Sequence, residues 1–187
     1  MHGVVELRKK PFDFLVDEVF VALPTIDKYF FEPDYRFHFL RDNGLVDLRI
    51  SREEFVEDVQ ITRAHDGQRS RLQDELLAET GYAPGTGILY REKLTGQAIG
   101  ISDAVDHTEM MERARKLISA VLEKKIAILY PDDMTLILGI SRLDFCLYDD
   151  EDFDAVVEMA EQFLPRLRFA KIYVSDLYSG EAVRRLR

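Results

Sequence analysis

The chain predicts an α+β fold, a two-layer sandwich with a ferredoxin-like C-terminal half, on three observations. From Gln97 onward, short apolar runs alternate with helical stripes in the order β-α-β-β-α-β, the split βαβ pattern. Two of these segments carry apolar residues at helical spacing, and amphipathic helices of that kind need a sheet face to cover. The N-terminal part is rich in strand formers and includes one clear hairpin.

Taken in order, Phe12 to Leu23 mixes apolar and acidic residues, and its second half reads as strand ending at Pro24. Tyr35 to Leu40 alternates, with Tyr35, Phe37 and Phe39 on one face and Arg36, His38 and Leu40 on the other. Asp42-Asn43-Gly44 supplies a tight turn, and Leu45 to Ile50 returns with Val46, Leu48 and Ile50 opposite Asp47 and Arg49. Ser51 and Glu54 have capping-box spacing, which predicts a short helix through Glu53, Phe55, Val56 and Val59. After a polar joint at Thr62 to Gly67, a second helix runs from about Gln68 to Thr80, with Gly81 as its C-terminal stop.

Pro84-Gly85-Thr86-Gly87 is the strongest break in the chain. It divides the protein into an N-terminal part, 1–83, with a β-hairpin and two short helices, and a ferredoxin-like part, 84–187, or joins them within one continuous domain. Ile88 to Arg91 and Gln97 to Ile101 form a hairpin turned near Thr95-Gly96. Asp106 and Glu109 open the longest helix, with a stripe of Met110, Ala114, Leu117, Ile118, Val121 and Leu122. Lys124 and Lys125 complement the dipole at its end. Ile126 to Tyr130 and Met134 to Ile140 read as two strands about a Pro131-Asp132-Asp133 turn. Acidic residues from Asp149 open the next helix, whose stripe includes Phe153, Val156, Val157 and Ala160, and Ala170 to Val174 is the last strand. The cationic tail from Glu181 to Arg187 reads as an exposed helical end.

Composition excludes more than it assigns. A formal net charge of −10 disfavours attraction to phosphate backbones, so nucleic acid is not an expected partner. Cys146 is the only cysteine, which rules out an internal disulfide and a zinc site built on several thiolates. Its apolar strand-like setting makes it a small buried hydrophobe. The N-terminus lacks the build of a secretory signal, and no apolar run reaches membrane-spanning length, so a soluble cytoplasmic protein without a membrane partner is expected.

No stretch carries a specific catalytic motif. The Pro84 to Gly87 loop leads into a strand, unlike a phosphate-binding loop, which opens a helix. The expected function is therefore non-catalytic: a protein-binding, regulatory or adaptor role through a protein partner or a homodimer, with no cofactor and no assigned metal. The alternative is a small enzyme or metabolite-binding domain using carboxylates at strand ends, with or without a divalent cation. Its candidates are Asp132, Asp133, Asp144 and Asp149, with His65 or His107 as proton carrier.

The partner-binding candidates are Tyr29, Phe30, Phe31 and Arg36. Between Pro24 and Pro33, three consecutive rings in a connector cannot all point into one core, because extended residues alternate sides. At least one ring is expected at the surface, and aromatic residues beside Arg are common interface anchors.

Overall fold

The computed structural model describes residues 12–40, 44–83, 88–101, 106–140, 147, 149–177 and 182–187. In chain order these form helix α1 (Phe12–Tyr29), strands β1 (Arg36–Phe39), β2 (Leu48–Arg52) and β3 (Phe55–Ala64), and helix α2 (Gly67–Thr80). Strands β4 (Ile88–Arg91) and β5 (Ala98–Ile101) precede helix α3 (His107–Ile126). Strand β6 (Thr135–Ile140), helix α4 (Asp150–Glu161), a 3-10 turn (Leu164–Arg166), β7 (Lys171–Asp176) and β8 (Val183–Arg185) complete them.

One mixed sheet holds six strands in the order β1-β2-β3-β6-β7-β8. Its first three strands form an antiparallel meander, β3, β6 and β7 lie parallel, and β8 returns antiparallel on β7. Strands from both halves of the chain therefore share one sheet, joined where Val59 to Ala64 pair with Thr135 to Ile140.

The two faces of the sheet carry separate cores. Val21 and Ala22 of α1, with Phe30 just after it, pack with Phe37, Leu48, Ile50, Val59 and Ile137 on one face. On the other, Ile118 and Leu122 of α3 and Phe153 and Val156 of α4 pack with Leu136, Leu138, Ile172 and Val174. Helices thus cover both faces, making three layers where two were expected. The apolar run of β6 is the sequence signature of this arrangement, since a strand covered on both faces has no polar side.

The β1–β2 hairpin, α2 with Gly81 in the left-handed conformation, the β4–β5 hairpin and α3 capped by Asp106 all form as the sequence predicts. Four expectations are corrected. The first is Phe12 to Leu23, which is helix and not strand. Its buried residues recur at helical spacing as Val21, Thr25 and the half-buried Tyr29. Pro24 sits inside the helix. The carbonyl that Pro24 leaves without a donor belongs to Phe20, an exposed residue where water can replace it.

Second, the segment after Ser51 is a β-hairpin. Arg52 pairs with Phe55 across a two-residue turn in which Glu53 takes φ +49°. The alternation of Glu57, Val59 and Ile61 toward one face outweighs the local capping-box pattern. Third, Ile126 ends α3, and residues 127–130 form no strand. The β-α-β-β-α-β order is therefore not that of the main sheet, and among the described residues β4 and β5 pair only with each other. Fourth, the cationic tail supplies strand β8 and not a helical end. The Pro84 to Gly87 break, Cys146 and Asp144 lie outside the described residues.

Candidate functional site

The register of the meander creates one polar cluster on the α3 side of the sheet. Leu48 faces Val59 as the last pair of the β2–β3 ladder, so Asp47 comes next to Gln60 one step beyond it. There the chain leaves regular strand geometry, and the Asp47 carboxylate takes over as acceptor for the Ile61 N–H at 2.8 Å. The Gln60 side-chain amide donates to the same carboxylate oxygen, Oδ2, and also to the Ile61 carbonyl at 3.1 Å.

These bonds fix the direction of the Gln60 side chain, and its Oε1 is left with no hydrogen-bond partner among the described residues. Gln60 is only 5% exposed. A buried amide oxygen without a donor costs about 1–3 kcal/mol, so its retention calls for an explanation.

Two further groups, at the end of α3 and in the loop after it, lie within the electrostatic reach of Asp47. Lys125 lies in the last helical turn with Nζ 3.5 Å from the Tyr130 hydroxyl, and Tyr130 is 3% exposed. Burial pushes the Lys125 ammonium below the usual lysine value, while the Asp47 charge pulls the other way. Burial, reinforced by Asp47, pushes the Tyr130 phenol up. Asp47 thus acts electrostatically on both groups. The Asp47 field links a carboxylate and an orphan amide oxygen with a partly desolvated amine and a buried phenol.

Sequence reasoning missed these four as a site for identifiable reasons. Asp47 reads as the polar side of a strand, Gln60 falls just past a wrongly predicted helix, Lys125 reads as a helix-dipole partner and Tyr130 as a strand end. The available signal was Gln60 itself, a polar residue directly between the two apolar residues Val59 and Ile61.

The expected acid–base residues go elsewhere. Asp132 and Asp133 are exposed in the turn before β6. Asp149 caps α4 by accepting from the Asp152 N–H at 2.9 Å. Exposed His65 sets Nδ1 3.3 Å from the Arg63 carbonyl, and Asp66 caps α2 while pairing with Arg113 at 3.1 Å. His107 does have a carboxylate partner, Asp152 at 2.6 Å, whose hydrogen bond raises the imidazole above its ordinary value. That pair ties the start of α3 to the start of α4. Among the described residues no three His, Cys, Asp or Glu side chains group as a metal site.

The aromatic candidates separate. Tyr29 ends α1 with its ring 4.8 Å from that of Tyr173, and Phe30 is buried edge-on against Tyr35 at 5.4 Å. Phe31 is 75% exposed. Arg36 opens β1 as an exposed residue. The tail cations are engaged in the fold: Arg184 pairs with Asp154, and Arg187 donates to the carbonyls of Leu164, Leu167 and Phe169. A cleft of about 610 Å³ opens between α2 and β4. Its Arg91 is held bidentately by Glu75.

Among the described residues, no helix is long and apolar enough to cross a membrane. Comparison with protein-family models, curated proteins and solved structures finds no match for this chain.

Proposed function

We propose that the chain is a phosphoester hydrolase that takes its substrate together with a divalent cation at Asp47, Gln60 and Lys125. The observation that carries this reading is the buried, unpartnered Gln60 Oε1 beside the Asp47 carboxylate and within the field of a desolvated lysine. Hard cations such as Mg²⁺ take oxygen ligands and are commonly bound by one or two carboxylates plus substrate phosphates. One carboxylate oxygen and one amide oxygen make about a third of such an octahedral shell, leaving the rest to substrate and water. A protein of net charge −10 also suits an anionic ligand that arrives with its own counter-charge.

When bound, the cation would polarise the phosphoryl oxygens and acidify a coordinated water. The chain's own groups then divide the remaining work. Asp47 is held by the Ile61 N–H, so its carboxylate is fixed in direction before any ligand arrives. The Lys125 ammonium faces the phosphoryl oxygens. Because burial makes it a stronger acid than an ordinary lysine, it can also give its proton to the leaving oxygen. The oxygen of water forms the new P–O bond, the ester P–O bond breaks with its electrons on the leaving group, and the proton of water passes to solvent.

The test is hydrolysis of bis(4-nitrophenyl) phosphate with Mg²⁺ or Mn²⁺. Wild type should turn over, and Asp47→Asn and Lys125→Met should each lose at least about 100-fold, the scale of a lost electrostatic contact to a transition state. An inactive wild type that also shows no thermal stabilisation by cation plus pyrophosphate would end this reading.

A second reading, docking of a protein partner or of a second copy, is favoured by the 75% exposure of Phe31 together with exposed Phe20 and Leu23 on α1. Phe31→Ser should then abolish self-association or partner capture without lowering the melting temperature. Unchanged association in that variant removes Phe31 as an anchor.

A further inference from the structure

We infer that Tyr130 is a positioning residue for Lys125, holding its amine beside the buried phenol and away from the end of its own helix; this rests on the hydrolase reading. The last carbonyls of a helix attract a cation in its final turn. Lys125 stands in that turn, as does Lys124. Exposed Lys124 follows the usual pattern, whereas the half-buried Lys125 reaches Tyr130, with Nζ 3.5 Å from the hydroxyl and 5.8 Å from the ring centroid.

Tyr130 is well placed to hold it. Its ring packs 4.8 Å from that of Phe169 and is buried in the α3-side core. Pro131 follows and restricts the backbone of Tyr130 to extended conformations. A locked phenol is a fixed acceptor, whereas a lysine has four rotatable carbons and no direction of its own. The chain Phe169, Tyr130, Lys125 thus gives a flexible side chain one preferred position, which is how a supporting group preorganises a contact residue. Tyr130 itself touches no substrate in this account.

Tyr130→Phe removes the hydroxyl and keeps the ring packing. With its lysines reductively ¹³C-methylated, which keeps their charge, the full-length chain can be titrated by NMR. Lys125 should titrate below the other lysines in wild type and lower still in Tyr130→Phe, because the ammonium loses an acceptor. The variant should also bind pyrophosphate with Mg²⁺ about 5–10-fold more weakly by calorimetry, the effect of one lost hydrogen bond to a charged group. Its melting temperature should stay within a few degrees of wild type.

A Lys125 titration unmoved by Tyr130→Phe overturns the inference, whatever the binding result. Pyrophosphate binding unchanged in both Asp47→Asn and Lys125→Met instead overturns the hydrolase reading, and the titration still judges Tyr130 by itself. If Tyr130→Phe fails to fold, Phe169→Leu, which loosens the ring but leaves the hydroxyl, should broaden or shift the Lys125 signal; an unaffected signal counts against the positioning role.

Discussion

Lys171→Met is expected to lower the melting temperature by roughly 6–12 °C, the equivalent of about 3 kcal/mol in a chain of this size. Glu57 enters the α1 side of the sheet from β3 with its side chain only 4% exposed. It is held there by the Lys171 ammonium and by the Thr135 hydroxyl, which donates at 2.5 Å. Thr135 and Lys171 pair directly across β6 and β7, and Glu57 reaches them from two residues before Val59, the β3 partner of Thr135. Removing the cation leaves a desolvated carboxylate with one neutral donor, and an uncompensated buried charge is among the costliest single changes in a protein. The figure sits at the low end of the usual range because the Lys171 side chain is 32% exposed, so water can partly replace it. Glu57→Leu combined with Lys171→Met should recover most of the loss. A single variant as stable as wild type would mean that this trio contributes nothing to the fold.

Gly139→Ala should cost about 1–3 kcal/mol through overpacking between α1 and the sheet. An added Cβ would lie 2.8 and 2.9 Å from the two γ carbons of Val21 and 3.1 Å from Cδ2 of Leu177. Val21 is 2% exposed and β-branched, so it can neither swing away nor flex. The helix must therefore lift from β6. Val21→Ala opens that space, and the double variant should be less destabilised than the sum of the singles, since the two sites share one contact. Strict additivity by chemical denaturation would show that α1 does not sit as closely as the distances imply.

The legible parts of the fold are those whose signal is local. Phe37 and Phe39 alternate against Leu48 and Ile50 around a glycine at φ +53°, and the hairpin follows directly. Asp106 and the stripe from Met110 to Leu122 mark α3 without help from the rest of the chain. Local signals also misled. Pro24 and the β-branched valines before it hid a helix that tertiary packing sustains. Ser51 and Glu54 imitated a cap in a segment whose fate is set by pairing with β2 and β6. Ile126 to Tyr130 has the composition of a strand, but it packs as the end of a helix and the loop beneath it.

The candidate site was illegible for a related reason. Asp47 and Gln60 meet through strand register, and Lys125 joins them because β3 lies parallel to β6 with α3 across both. None of these contacts leaves a mark at fixed spacing. The acidic residues that do stand out, Asp132, Asp133 and Asp149, serve a turn and a helix cap, where carboxylates are favoured for local reasons.

Paramagnetic broadening by Mn²⁺, read on the backbone amide signals of the full chain in the presence of pyrophosphate, tests the central claim most directly. The account predicts selective loss of the Asp47, Gln60 and Ile61 signals, and their return in Asp47→Asn. Broadening centred on residues 149–154, or on no defined region, would contradict it.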